Sequence, residues 1–151
     1  MTQRAAVRIR PETIRGLVAH ARRARPREAC GFLVGRGARV AFSVPVRNIA
    51  RGLTRYRADP AEHLALRRAL RELVPALEIV GVYHSHPRGR TWPSETDIAE
   101  ALYPDWIHVI VGLAGRRAVV RAFVMTRGRV RRLAIARVSN GWSRIPGSSG
   151  A

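Results

Sequence analysis

The residue types able to do chemistry crowd into one stretch, His84-Ser-His-Pro-Arg-Gly-Arg-Thr-Trp-Pro-Ser-Glu-Thr-Asp97. Side chains at i and i+2 of an extended strand point to the same side. His84 and His86, which end the apolar run from Glu78, can therefore present two imidazoles to one ion. Pro87 has no N–H to continue a strand ladder and turns the chain. The loop then returns a carboxylate, Asp97, from the first turn of a helix. Two nitrogens and one oxygen leave the fourth corner of a tetrahedron for water, which is the donor set of a catalytic zinc rather than a structural one. Zinc lowers the pKa of a bound water to about 7. A carboxylate is still needed to take the proton and pass it to a leaving amine. Glu95 stands on the helix's first turn beside a ligand and points elsewhere. Glu28, just ahead of the buried run Ala29 to Gly35, is the better candidate, at an edge of the sheet.

His84-Ser-His-Pro87, six residues, Ser94, two residues and Asp97, with Glu28-Ala-Cys-Gly-Phe-Leu33 upstream, resemble the JAMM (MPN-plus) metallopeptidases, in particular their small prokaryotic members. The resemblance covers roughly residues 5–138, and Asn48, Tyr56 and Asp59-Pro60 also resemble positions of the small members. It implies a single-domain α/β fold of the MPN/cytidine-deaminase-like type, a mixed β-sheet flanked by helices. It implies one Zn2+ on His84, His86 and Asp97, Glu28 as general base, and Ser94 as support for the oxyanion. It also implies cleavage of the amide bond after the C-terminal Gly-Gly of a ubiquitin-like or sulfur-carrier protein, with cysteine or another amino acid among the leaving groups. Trp92 can cover such a Gly-Gly tail or anchor the surface. A non-hydrolytic MPN-type binding module is the alternative, and the intact Glu28 speaks against it.

Single features carry less than the joint pattern. A lone His-x-His pair marks nothing by itself, and Ser94-x-x-Asp97 after Pro93 also reads as a helix capping box. Cys30 can be a nucleophile with a histidine partner, but on a buried strand it reads as an inert core thiol. His108 alternates with apolar neighbours and reads as a packed or edge histidine. His20 and His63 lie in arginine-rich helices and read as solvated. The His-x-Glu and Pro-Cys-x-x-Cys signatures of zinc deaminases are absent, which argues against base deamination.

The elements that must position these residues can be read from periodicity. Val7 to Arg10 is a short strand, and 11–25 an amphipathic helix opened by Pro11 and ended by Pro26. Ala29 to Gly35 and Arg39 to Val46 form a hairpin across a Gly-Arg-Gly turn. A long polar connection runs from Pro45 to Asp59. Pro60 opens a second helix, closed by Pro75, whose Leu64, Leu66, Leu70 and Leu73 supply apolar contacts. Glu78 to His84 is a strand, a third helix starts at Ser94 and ends near Pro104, and Trp106 to Leu113, Ala118 to Met125 and Val130 to Val138 are strands. One domain over residues 1–139 is expected, followed by a Gly/Ser-rich tail at 140–151 that frays.

Composition sets the bounds. At 151 residues and 46% apolar, the chain can bury a core without disulfides or a structural metal. Its single cysteine, the absence of an apolar leader and the absence of a long apolar run point to the cytoplasm. The net charge is +18, all 28 basic residues are arginine, and there is no lysine. A GC-rich genome accounts for that bias; a sharper reading is that a lysine-free enzyme escapes side-chain tagging. The charge steers acidic partners, so an acidic carrier fits. The arginines are scattered through every segment without a nucleic-acid-binding motif, so a nucleic-acid-associated protein is the weaker alternative.

Overall fold

In the computed structural model, which describes residues 5–138, ten elements follow one another. They are β1 (Ala6–Ile9), α1 (Pro11–Ala24), β2 (Cys30–Arg36), β3 (Arg39–Val46), α2 (Pro60–Leu73), β4 (Glu78–His86), α3 (Glu95–Ala99), β5 (Ile107–Gly112), β6 (Val119–Thr126) and β7 (Arg129–Arg137). The mixed α/β architecture expected from the sequence is present. The sheet runs in the order β1-β3-β2-β4-β5-β6-β7 and closes on itself, because β1 pairs in parallel with both β3 and β7. β4 and β5 are parallel, and the other pairs are antiparallel hairpins or neighbours.

The two faces of β2 and β4 bury different things. Their antiparallel register pairs Cys30 with His84, Gly31 with Tyr83 and Phe32 with Val82. Alternation then puts Ala29, Leu33 and Tyr83 into the main core with Val7, Ile9, Leu17, Ala21, Val109 and Leu133. Cys30 and Phe32 face the other way, into a smaller cluster with Val46, Tyr56, Leu66 and Trp106. Glu28, His84 and His86 share that second parity. Two glycines allow this packing. A Cβ at Gly81 would stand 2.0 Å from the Ile107 carbonyl oxygen, and one at Gly35 would stand 1.9 Å from that of Arg39.

Several expectations need correction. β4 runs through both histidines to His86 rather than stopping at His84. Glu28 is not at a sheet edge, because β2 is interior, between β3 and β4; it lies at the end of that strand. α3 ends at Ala99 rather than near Pro104. Nothing holds a longer helix there, for Leu102 beyond it is 81% exposed and α3 buries no residue fully. In α2 only Leu70 is buried and Leu66 packs on the Phe32 cluster, while Leu64 and Leu73 are exposed. His20 and His63 are partnered rather than solvated. His20 Nδ1 meets the Tyr83 hydroxyl at 2.7 Å, and the His63 ring packs at a tilt against Phe32, centroids 4.5 Å apart. His108 is buried among apolar neighbours. No helix among the described residues is long and apolar enough to cross a membrane. The tail at 140–151 lies outside the described residues.

Candidate metal centre and cleft

Three ligand atoms converge at the C-terminal end of β4. His84 Nε2 and His86 Nε2 are 3.0 Å apart, and Asp97 Oδ2 is 3.1 Å from the first and 3.2 Å from the second. The three residues form the one such His/Cys/Asp/Glu group among the described residues. A tetrahedral ion with ligands about 2.0–2.1 Å away separates its ligand atoms by about 3.3 Å, so the observed triangle is close to the required size.

The chemistry of the donors also fits a cation. His86 Nδ1–H donates to the Arg90 carbonyl at 2.6 Å, so Nε2 keeps its lone pair for the centre. Two bare imidazole nitrogens and a carboxylate oxygen that face one another repel unless a proton or a metal ion sits between them. Burial pushes His84, which is wholly enclosed, below its ordinary pKa. Burial also acts to lower His86, but its hydrogen bonds to Asp97 and the Arg90 carbonyl outweigh that and raise it. For Asp97, burial pushes upward, yet the hydrogen bonds to both histidines hold the carboxyl well below the usual range. Asp97 therefore stays anionic.

Asp97 caps α3 and also faces the two histidines. Its Oδ2 accepts from the Ser94 N–H at 2.8 Å, and its own N–H donates to Ser94 Oγ at 3.0 Å, which closes a capping box. The oxygen that caps α3 is the oxygen that faces the histidines. Ser94 is exposed, and its hydroxyl proton is free to donate into the cleft.

Glu28 arrives through the sheet. Ala29 N–H donates to Ser85 Oγ at 2.8 Å and Ser85 N–H donates to the Ala29 carbonyl at 3.0 Å. These bonds carry the β2–β4 register one step past Cys30 and His84, and a further step sets Glu28 across from His86. Glu28 is 6% exposed, and its Oε2 has no hydrogen-bond partner. Burial raises its pKa to about 7, with His86 pulling down and Asp97 pushing up. A carboxyl balanced near neutrality can both accept and return a proton.

Two residues whose local roles sequence patterns did not reveal complete the frame. Tyr56 stacks on the His84 ring, centroids 4.2 Å apart and planes within 19°. Asn48 Nδ2 donates to the Glu28 carbonyl at 3.0 Å, and its Oδ1 accepts from the Ala50 and Arg57 N–H groups. Asn48 thereby ties the 47–59 connection to the strand end that carries Glu28. No periodic pattern singles out either residue, because their partners are distant in sequence. Cys30 is a buried thiol raised to about 12 by burial, which keeps it protonated at neutral pH rather than a nucleophilic thiolate.

Glu28, His86, Trp92 and Ser94 line one cleft of about 420 Å³. Trp92 packs edge-on against Phe123, centroids 5.0 Å apart, and leaves 38% of its surface exposed at the rim.

Comparison with known proteins places the chain in a family. Residues 10–126 match the family described as prokaryotic homologs of the JAB domain. The chain belongs to that family. It is the small prokaryotic JAMM type that the His-Ser-His-Pro motif resembled. The chain is 37% identical over 127 residues to the CysO-cysteine peptidase of Mycobacterium tuberculosis, covering 81% of this chain and 84% of that protein. It is 40% identical over 115 residues to a probable TtuB-protein conjugate cleaving protease of Thermus thermophilus, covering 74% and 70%. The solution structure of a Desulfitobacterium hafniense protein superposes with a TM-score of 0.79 at 28% identity, covering 87% of this chain and 92% of that one.

Proposed function

We propose that this JAB-family chain is a zinc-dependent peptidase. It hydrolyses the amide bond that follows the C-terminal Gly-Gly of a ubiquitin-like or sulfur-carrier protein. The observation that carries the chemistry is a triangle of three inward-facing ligand atoms, one of them on His86, which lines the same cleft as Glu28, a buried residue whose Oε2 has no hydrogen-bond partner. The likeness to a CysO-cysteine peptidase and to a probable TtuB-protein conjugate cleaving protease supports the substrate class, and the net charge of +18 favours an acidic carrier.

His84, His86 and Asp97 hold the ion, which supplies Lewis acidity and an acidified water when bound. Glu28 takes the proton of the attacking water and delivers it to the departing amine; its pKa near 7 suits both transfers. The Ser94 hydroxyl donates to the oxyanion that develops on the scissile carbonyl. Tyr56 and the Arg90 carbonyl hold the two imidazoles in orientation. Trp92 covers the extended Gly-Gly tail at the cleft rim.

The test is to mix the zinc-loaded protein with Gly-Gly carriers bearing an amino acid or a lysine-linked adduct, and to follow release by mass spectrometry. Cleavage that a chelator abolishes and zinc restores is the expected result. Failure to cleave any Gly-Gly adduct in a metal-dependent way sinks the proposal.

A further inference from the structure

The cleft that Glu28 and Ser94 line also includes Leu53 and Thr54 of the 47–59 connection. At its Pro26, Pro87 and Arg88 end it shares a wall with a second hollow of about 420 Å³, lined besides by Arg25, Leu113 and Ala114. No carboxylate lines that second hollow. Arg88 is exposed and makes no hydrogen bond or ion pair with any described residue. Arg25 donates through Nη2 to the Leu113 carbonyl at 2.5 Å, which fixes its guanidinium beside the hollow.

The arm that carries Arg88 is anchored. The Arg90 carbonyl accepts from His86 Nδ1. Thr91 lies so close to β5 that a Cβ at Gly112 would stand 1.8 Å from its Oγ1. The Leu113 N–H bonds to the His86 carbonyl at 3.1 Å. Arg88 therefore sits between two fixed points, directly after the ligand strand.

Substrate chemistry says which end takes which part. The Gly-Gly acyl segment carries no charge and has nothing to offer a guanidinium. A leaving amino acid joined through its α-amine carries a free carboxylate one carbon removed from the scissile nitrogen. A lysine joined through its side chain presents an aliphatic stem there instead. Guanidinium and carboxylate make charge-assisted, often two-pronged hydrogen bonds.

We propose that Arg88, seconded by Arg25, is a carboxylate-binding subsite for the leaving group. It directs the enzyme to carriers bearing a single C-terminal amino acid with a free α-carboxylate, in preference to side-chain-linked conjugates. This rests on the Gly-Gly peptidase reading. Hydrolysis is unchanged in its balance: the amide C–N bond breaks, hydroxyl from water joins the glycyl carbon, and the amine leaves with the proton. Arg88 touches only the carboxylate of the leaving group, which makes it a specificity-determining residue.

Three adducts of one Gly-Gly-ended, ubiquitin-fold carrier test it: an alanine extension with a free carboxylate, the same extension as its amide, and a lysine side-chain conjugate. For the zinc-loaded protein, kcat/KM for the acid should exceed that for the amide by about 10- to 100-fold. Arg88→Gln should remove that advantage and leave the amide and the conjugate unchanged. In the Glu28→Gln background, direct binding should favour the acid-ended carrier over the amide-ended one until Arg88→Gln is added. Equal cleavage of acid and amide by the unsubstituted protein overturns the subsite, as does an equal loss on both in Arg88→Gln. Failure to cut any of the three overturns the Gly-Gly peptidase reading itself, and the subsite with it.

Discussion

The candidate site is built in two halves by different means. Glu28, His84 and His86 come from the ends of β2 and β4, two interior strands, and are buried. Their relative position is a property of sheet register, and Glu28 lies 56 positions from His84 (84 − 28). Ser94 and Asp97 come from the start of a five-residue helix, and three residues of chain are enough to set their geometry. The first half cannot shift without moving the core. The second is local and separable, yet it brings Asp97 Oδ2 to within 3.2 Å of both imidazoles of the first. A metal centre built on these residues would take its precision from the sheet and its closure from a cap.

The largest effect should come from the sheet half. His84→Ala removes a wholly enclosed ligand and the ring on which Tyr56 stacks. Bound metal, measured by elemental analysis, should fall to background, and cleavage should fall to that of metal-stripped protein. Retention of stoichiometric metal would mean that the cap, not the sheet, anchors the ion.

Glu28→Gln should keep the metal and slow turnover by about 10²–10⁴-fold. It also probes stability. Burial raises the Glu28 pKa to about 7 in the fold, against an ordinary value of 4.5. Between those values the folded state binds more protons than the unfolded one, so stability contributed by this group falls as pH rises. The metal-free Glu28→Gln variant should therefore be more stable than the parent at pH 8, by about 1–3 kcal/mol, and little different at pH 4. Thermal melts of both proteins across pH would check it; a parent that outlasts the variant at pH 8 refutes the buried, unpaired carboxyl.

In the local half, Ser94→Ala should slow turnover by about 100- to 1,000-fold through the lost oxyanion donor. Because Ser94 Oγ also caps α3, the same change should cost about 0.5–2 kcal/mol and weaken metal affinity with it. Ser94→Thr keeps hydroxyl and cap and should hold metal as the parent does. Equal metal affinity in all three proteins would separate the cap from the ligand. The smallest effect belongs to the frame: Asn48→Ala should lower stability by about 1–2 kcal/mol, read as a lower melting temperature with metal binding retained.

The same contrast explains what the sequence made legible. The His84/His86 pair and the Ser94–Asp97 cap follow short-range rules, strand parity and the capping box, and both are present as read. The hairpin of β2 and β3 and the position of α1 follow from periodicity and from Pro11 and Pro26. Closure of the sheet through β1 is not legible, because four residues with parallel partners at distant positions leave no local mark. The partners of His20, His63, Tyr56 and Asn48 are illegible for the same reason. Leu64 and Leu73 stay exposed because apolar spacing says which residues can share a face, not whether that face finds a surface to cover it.

The capping box and the lone carboxyl have an evolutionary consequence. A lineage that abandoned hydrolysis would not find its site residues equally disposable. Losing Asp97 or Ser94 unravels the start of α3, and losing His84 leaves a hole in a packed strand end. Losing Glu28 relieves a buried, unpartnered acid. Drift from enzyme to inert scaffold should thus run first through position 28, with the ligand shell outlasting the chemistry it served.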